Sequence, residues 1–307
     1  MKAINPAAAT ELDGLLTEQR NPASERIDTL STAEVLAVIN REDEKVAAAV
    51  GREIPRIAEA VDRIADLMRA GGRLFYIGAG TSGRLGVLDA AECPPTFHVP
   101  PDCVQGIIAG GEAALARATE ASEDDPEMGQ RDLASRGFRA KDVLVGIAAS
   151  GRTPYVLGAI EAANQLGALT VGISCTPDSP LAAGSGIAIT PLVGPEVITG
   201  STRMKAGTAT KLVLNMISSG VMIRLGYVFG NLMVNVQPRN TKLRDRAQRI
   251  VASSASVSYE RAGELLIEAG DNVPLAIVMA RLNMDRSAAE ERLAAAGGRI
   301  SEAAKQI

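Results

Sequence analysis

Along the first part of the chain apolar residues recur at the spacing of a helix face, and further on they gather into short unbroken runs. Ser31-Thr32-Ala33-Glu34 has the form of a capping box, in which hydroxyl and carboxylate each satisfy a backbone N–H at a helix start; Val35, Leu36 and Ile39 follow as helical material. Ile54, Ile57, Ala58, Val61, Ile64, Ala65 and Met68 form one apolar stripe on a second helix, which stops at Gly71-Gly72. The period then changes. Strands are predicted at Leu74 to Ile77, Val104 to Ala109, Val143 to Ala148 and Leu169 to Ser174, and helices at Arg84 to Ala91, Ala113 to Ala121 and Pro154 to Leu166. Continuous apolar strands separated by helices are buried on both faces, so the expected fold is α/β, a doubly wound parallel sheet flanked by helices, with N-terminal helices before it. A short strand near Ile187 to Thr190 extends the sheet.

Thr202 to Leu225 reads as one long helix, apolar most of the way round, which belongs in a core or at a subunit interface; a homodimer is the expectation. Asn240 to Ile250 carries Lys242, Arg244, Arg246 and Arg249, a pattern typical of a solvated helix face. Segments near Ser258 to Ala269, Pro274 to Leu282 and Ser287 to Ala296, with stops at Gly270, Asn283 and Gly297-Gly298, predict a small C-terminal helical bundle. The expected division is an N-terminal helical segment over 1–72, a sheet domain over 73–240 and a helical domain over 241–307.

Composition narrows the function. With 46% hydrophobic and 22% charged residues in 307, the chain is globular rather than disordered. A net charge of -4, no Trp, four Phe and four Tyr give neither a basic stripe nor stacking platforms, so no nucleic-acid partner is expected. Met1 to Pro6 lacks the apolar core of a signal peptide, and Leu212-Val213-Leu214 is interrupted by Asn215 and Ser218, so neither export nor a membrane partner is expected. Cys93, Cys103 and Cys175 are odd in number and have no C-x-x-C spacing, which argues against disulfides and a metal site and for the cytoplasm. Cys93 could pair only with the single histidine, His98; inert buried thiols are the simpler reading.

Two loops carry the candidate chemistry. Gly78-Ala79-Gly80-Thr81-Ser82-Gly83-Arg84 follows one apolar run and Ser150-Gly151-Arg152-Thr153 follows another. Glycines at a strand-to-helix turn let backbone N–H groups approach an anion, and the helix N-terminus behind them favours negative charge. Thr81, Ser82, Ser150 and Thr153 add hydroxyl donors, which suits a small phosphosugar. Gly78-x-Gly80-x-x-Gly83 also fits a dinucleotide fingerprint, but Asp102 precedes the second strand and Glu112 comes too late to hold a ribose.

At these residues the chain resembles the sugar isomerase (SIS) domains. More closely, Gly78 to Arg84, Asp89-Ala90-Ala91-Glu92-Cys93-Pro94-Pro95-Thr96, Ala149 to Tyr155 and Gly200-Ser201-Thr202-Arg203-Met204-Lys205-Ala206-Gly207-Thr208 resemble the N-acetylmuramic acid 6-phosphate etherases, and Leu16 to Asn21 and the tail fit as well. That family removes D-lactate from N-acetylmuramic acid 6-phosphate in peptidoglycan recycling, giving N-acetylglucosamine 6-phosphate, without metal or organic cofactor. The chemistry it implies is acid–base: the open sugar's aldehyde acidifies the C2 proton, a base removes it, an acid protonates the departing lactate oxygen, and water adds.

By motif, the resemblance assigns Glu92 as proton donor and Glu123 as the second acid–base residue. An acid at neutral pH needs its pKa raised by burial or by a like charge, which converging carboxylates supply. Gly80, Thr81, Ser82, Ser150, Gly151, Arg152, Thr153, Ser201, Arg203 and Lys205 are the expected substrate-binding residues, with Arg203 and Lys205 able to pair with phosphate or the lactyl carboxylate from either subunit. Glu196 is a third acid–base candidate, since a Glu similarly placed in SIS-domain isomerases serves as base. Glu112 suits a helix N-terminus, and His98 has no assigned chemistry. A phosphosugar-sensing regulator would keep the loops without needing Glu92 and Glu123, and an aldose-ketose isomerase would share the fold without the Glu-Cys-Pro-Pro string.

Overall fold

The computed structural model describes residues 15–117, 122–238 and 240–305. Residue contacts divide the chain into two compact units. One comprises the chain up to Ala91 together with Asp102–Ser218; the other comprises Glu92–Pro101 and the chain from Ser219 onward.

In the first unit, two short 3-10 turns at Pro22–Ser24 and Ile27–Thr29 lead to helices α1, Thr32–Arg52, and α2, Ile54–Arg69. The capping box forms as expected: the Ser31 hydroxyl accepts from Glu34 N, and the Glu34 carboxylate accepts from Ser31 N at 2.9 Å. Ile57, Val61, Ile64, Ala65 and Met68 of α2 are buried, which is the stripe the sequence showed.

The sheet follows: β1 (Leu74–Gly78), helix α3 (Gly80–Phe97), β2 (Val104–Ile108), α4 (Ala113–Ala116), α5 (Pro126–Ser135), β3 (Val143–Ile147), α6 (Pro154–Gln165), β4 (Leu169–Ile173), α7 (Pro180–Gly184), β5 (Ile187–Ile189) and α8 (Lys205–Leu225). The strands pair in parallel in the order β2-β1-β3-β4-β5. All residues of β1, β3 and β4 are buried, the signature of strands covered on both faces. Phe75, Ile77, Leu144, Tyr155, Val156, Ile160 and Leu181 share one core cluster. Each such side chain contributes on the order of 1.5–3 kcal/mol by leaving water. At the opposite end from the loops, buried Asp142 accepts from Arg73 Nη2 at 2.7 Å and Arg139 N at 2.9 Å, fastening the starts of β1 and β3.

The architecture agrees with the sequence; several boundaries do not. Helix α3 begins at Gly80 rather than Arg84 and continues to Phe97 through Pro94 and Pro95. The expected helix from Ala113 to Ala121 forms over Ala113–Ala116, and its positions 118–121 lie outside the described residues. Helix α5 was not anticipated. It shows the core little more than Gly129 and Leu133, so its apolar signal is weak, and it starts where Asp125 caps Met128 N at 2.9 Å.

In the second unit, a short antiparallel pair, β6 (Val228–Phe229) and β7 (Leu232–Met233), precedes helices α9 (Thr241–Ala255), α10 (Tyr259–Glu268), α11 (Val273–Leu282), α12 (Arg286–Ala295) and α13 (Ile300–Ala303). Val251, Leu266, Ala276, Ile277 and Val278 are among the residues of its core, so the expected helical bundle is present and begins with the basic segment itself.

Candidate functional site

Strands β1 and β3 are neighbours, with Gly78 in register with Ile147, while β2 lies on the far side of β1. The chain therefore reverses its direction of winding at β1, and the loops that leave β1 and β3 emerge side by side at the carboxyl ends of the strands. Such a reversal opens the crevice where α/β sheets bind ligands.

The first loop is the first turn of α3. Gly80 has φ +52°, a conformation that glycine adopts without strain, and this lets the chain enter the helix directly from the strand. Thr81 and Ser82 are half-buried there, among N–H groups that no preceding turn satisfies. In the second loop Gly151 has φ +65°, and a β-carbon on it would stand 2.2 Å from Ser179 Oγ; only glycine fits. Arg152 N donates to Ser150 Oγ at 3.3 Å, and Pro154 then opens α6. Ser150 and Thr153 are half-buried and the Arg152 side chain is exposed.

Glu123 is brought to both loops. Its carbonyl accepts from Tyr155 N at 3.0 Å, just beyond the second loop, and its Oε1 lies 3.3 Å from where a β-carbon on Gly80 would be. Upstream, Arg84 of α3 donates to the carbonyls of Leu115 and Arg117 at 3.1 and 3.2 Å, which ties the end of α4 to α3. Glu112 borders a different cavity, about 570 Å³, along edge strand β2 with Ile108, Met128 and Asp132. Glu92 is exposed in α3, two residues before Pro94, and belongs to the second unit, as does exposed His98.

Ser201, Thr202 and Arg203 immediately precede α8, and a β-carbon on Gly207 in the first turn of that helix would lie 3.6 Å from Thr81 Cγ2, so this segment adjoins the first loop. Ser201 is half-buried and Arg203 exposed. Lys205 departs from expectation. Its side chain is 1% exposed and its Nζ lies 2.7 Å from Glu42 Oε2, because a buried ammonium must be paired. Its charge is turned to Glu42. Glu196 is likewise engaged: its two oxygens accept from Lys205 N and Ala206 N, each at 2.9 Å, capping α8. Burial raises its pKa against the effect of those bonds. Sequence reasoning missed Glu42 and gave Asn21 no role; Asn21 lay within the Leu16 to Asn21 segment, but nothing there pointed to a partner so far along the chain.

The thiols fit the inert reading. Cys93 and Cys175 are buried, and burial followed by the Glu196 charge pushes Cys175 up to about 12. Burial also raises Cys103. Among the described residues no group of three or more His, Cys, Asp or Glu is placed to hold a metal ion, and no helix is long and apolar enough to cross a membrane.

The family model described as the SIS domain matches residues 123–219, and the one described as the glucokinase regulatory protein N-terminal SIS domain matches residues 56–164. The chain is 55% identical over 292 residues to an N-acetylmuramic acid 6-phosphate etherase of Pasteurella multocida, covering 95% of this chain and 97% of that one. It is 50% identical over 295 residues to one of Lactobacillus acidophilus, covering 96% and 99%. Among solved structures, a phosphoheptose isomerase from Neisseria gonorrhoeae is similar with a TM-score of 0.48 and 17% identity, over 62% of this chain and 99% of that one.

Proposed function

The chain belongs to the N-acetylmuramic acid 6-phosphate etherases and is a carbon–oxygen lyase acting on that sugar, and we propose that its two strand-end loops hold the phosphate while Glu92 and Glu123 move the protons. The observation that carries this reading is the position of Glu123, bonded through its carbonyl beside one loop and set against Gly80 of the other. The sensor and isomerase readings gain no support from relatives that are etherases over nearly the whole chain.

Gly80, Thr81 and Ser82 offer N–H and hydroxyl donors at a helix start, and Ser150, Gly151, Arg152 and Thr153 offer a second set, so the phosphate anion is met by dipoles and by the Arg152 guanidinium. Ser201 and Arg203 complete the binding set. With the ring open, the C1 aldehyde lets Glu123 take the C2 proton; the electron pair left at C2 forms the C2–C3 double bond as the C3–O bond to lactate breaks. Glu92 gives the leaving oxygen its proton. Water then adds its hydroxyl at C3 and a proton returns to C2, which yields N-acetylglucosamine 6-phosphate and D-lactate.

We place the enzyme in the cytoplasm on its three cysteines without C-x-x-C spacing, and as a homodimer on the exposure of Met216 and Ile223 along the apolar helix α8. Turnover in D2O tests the elimination route. It should leave deuterium at C2 of the product; product without deuterium would mean the C3–O bond breaks without C2 deprotonation.

A further inference from the structure

The Ser201–Arg203 segment is held from beneath by a closed circuit of buried polar groups. Lys205 Nζ donates to Glu42 Oε2 at 2.7 Å. Asn21 Nδ2 donates to that same oxygen at 2.9 Å and to the carbonyl of Pro195 at 2.9 Å. Pro195 adjoins Glu196, whose carboxylate returns to the backbone of Lys205 and Ala206. Ser24 Oγ adds a bond of 2.7 Å to Val197 O. Asn21, Glu42, Glu196 and Lys205 are 5%, 3%, 1% and 1% exposed. Apolar side chains of similar volume are often neutral or stabilising in place of a buried ion pair, so stability alone does not account for placing two carboxylates and an ammonium here.

What the circuit does fix is geometry. It joins three stretches distant in sequence: the chain around Asn21, helix α1 through Glu42, and the loop that ends at α8. Between the Glu196 cap and the first turn of α8, the chain from Ile198 to Met204 is tied by short turns, Ser201 N to Ile198 O at 2.9 Å, Thr202 N to Gly200 O at 3.0 Å and Met204 N to Ser201 O at 3.2 Å, and Met204 O accepts from Thr208 N of α8 at 2.9 Å. Such turns do not by themselves set where Ser201 and Arg203 stand relative to Thr81. The anchors at both ends of the loop do.

We propose that Asn21, Glu42 and Lys205 are positioning residues for the etherase reaction, fixing the Ser201–Arg203 segment and the α8 N-terminus against the Thr81 loop. The inference rests on the etherase reading and on Ser201 and Arg203 binding substrate. None of the three touches the sugar; they act through the loop, and their loss misplaces substrate contacts, at a cost set by how far those contacts move.

The test uses the full-length protein carrying Asn21→Ala, and separately Glu42→Leu with Lys205→Met, which replaces the ion pair by apolar groups of similar size. Amide hydrogen exchange is followed over residues 198–206 and over β3, alongside kinetics with N-acetylmuramic acid 6-phosphate. Exchange over 198–206 should quicken about tenfold in both variants while β3 keeps its protection, with KM raised about fivefold or more. Unchanged exchange over 198–206 in Asn21→Ala would overturn the anchor, and so would loosened exchange with wild-type kcat/KM. If the double variant fails to fold, Asn21→Ala decides the matter alone. The exchange arm needs no substrate, so an absence of lactate release by the wild-type protein would sink the etherase reading while leaving the anchor to be judged separately.

Discussion

A β-carbon on Gly80 would stand 3.3 Å from Glu123 Oε1, which places a carboxylate directly over the turn that starts helix α3. The same turn needs φ +52° at Gly80. Gly80→Ala therefore strains the backbone, at about 1 kcal/mol, and crowds the carboxylate as well. We expect kcat/KM to fall about tenfold or more with only a small drop in Tm. Steady-state kinetics beside a thermal melt checks this, and unaltered turnover would mean that Glu123 is not used from this position.

Glu92→Ala removes the proposed proton donor from an exposed helix site, so the fold should be unaffected. Loss of a general acid costs about 10²–10⁴-fold in rate. The variant should bind the phosphosugar nearly as well as the wild type, by calorimetry, while releasing almost no lactate. Near-normal turnover would remove Glu92 from the mechanism.

Ser150→Ala deletes one donor from the second loop. A hydrogen bond to a charged group contributes about 1.5–3 kcal/mol, so KM should rise by about tenfold or more with kcat little changed. Gly151→Ala, by contrast, drives a β-carbon into Ser179 and should unfold the loop outright. An unchanged KM in Ser150→Ala would move the phosphate elsewhere.

Acid stability should report on Glu42. Burial alone would raise its pKa, but bonds from Lys205, Lys45 and Asn21 overcome that and lower it to about 2. A carboxyl whose folded pKa is depressed stabilises the fold above its unfolded value of 4.5, and that stability is lost as pH falls toward 2. That stability is offset in part by Glu196, whose raised pKa works in the opposite sense. Urea midpoints near about pH 5 and about pH 3 should differ markedly in the wild type and much less in Glu42→Gln. An equal pH dependence in the two proteins would deny Glu42 this part in acid stability.

The sheet was legible because each central strand is an apolar run with no polar face to confuse it, and the two loops because glycine and hydroxyl residues cluster where those runs end. Helix α5 was hidden by its composition: Glu127, Gln130, Arg131 and Asp132 are polar, and with Gly129 fitted closely on α6 only a weak apolar signal remains. The burial of Lys205 was illegible for another reason. A lysine between a loop and an apolar helix looks like an exposed anion ligand, and the partner that buries it, Glu42, lies 163 residues away on α1. Glu196 likewise resembles a catalytic carboxylate until the backbone of α8 is seen to occupy both its oxygens.

The most direct test of the account is D-lactate release from N-acetylmuramic acid 6-phosphate by the purified protein in the presence of a chelator, beside the unphosphorylated sugar. Turnover confined to the phosphorylated substrate and indifferent to the chelator is the predicted result. Tight binding of the phosphosugar with no lactate released, or equal turnover of both sugars, would contradict it.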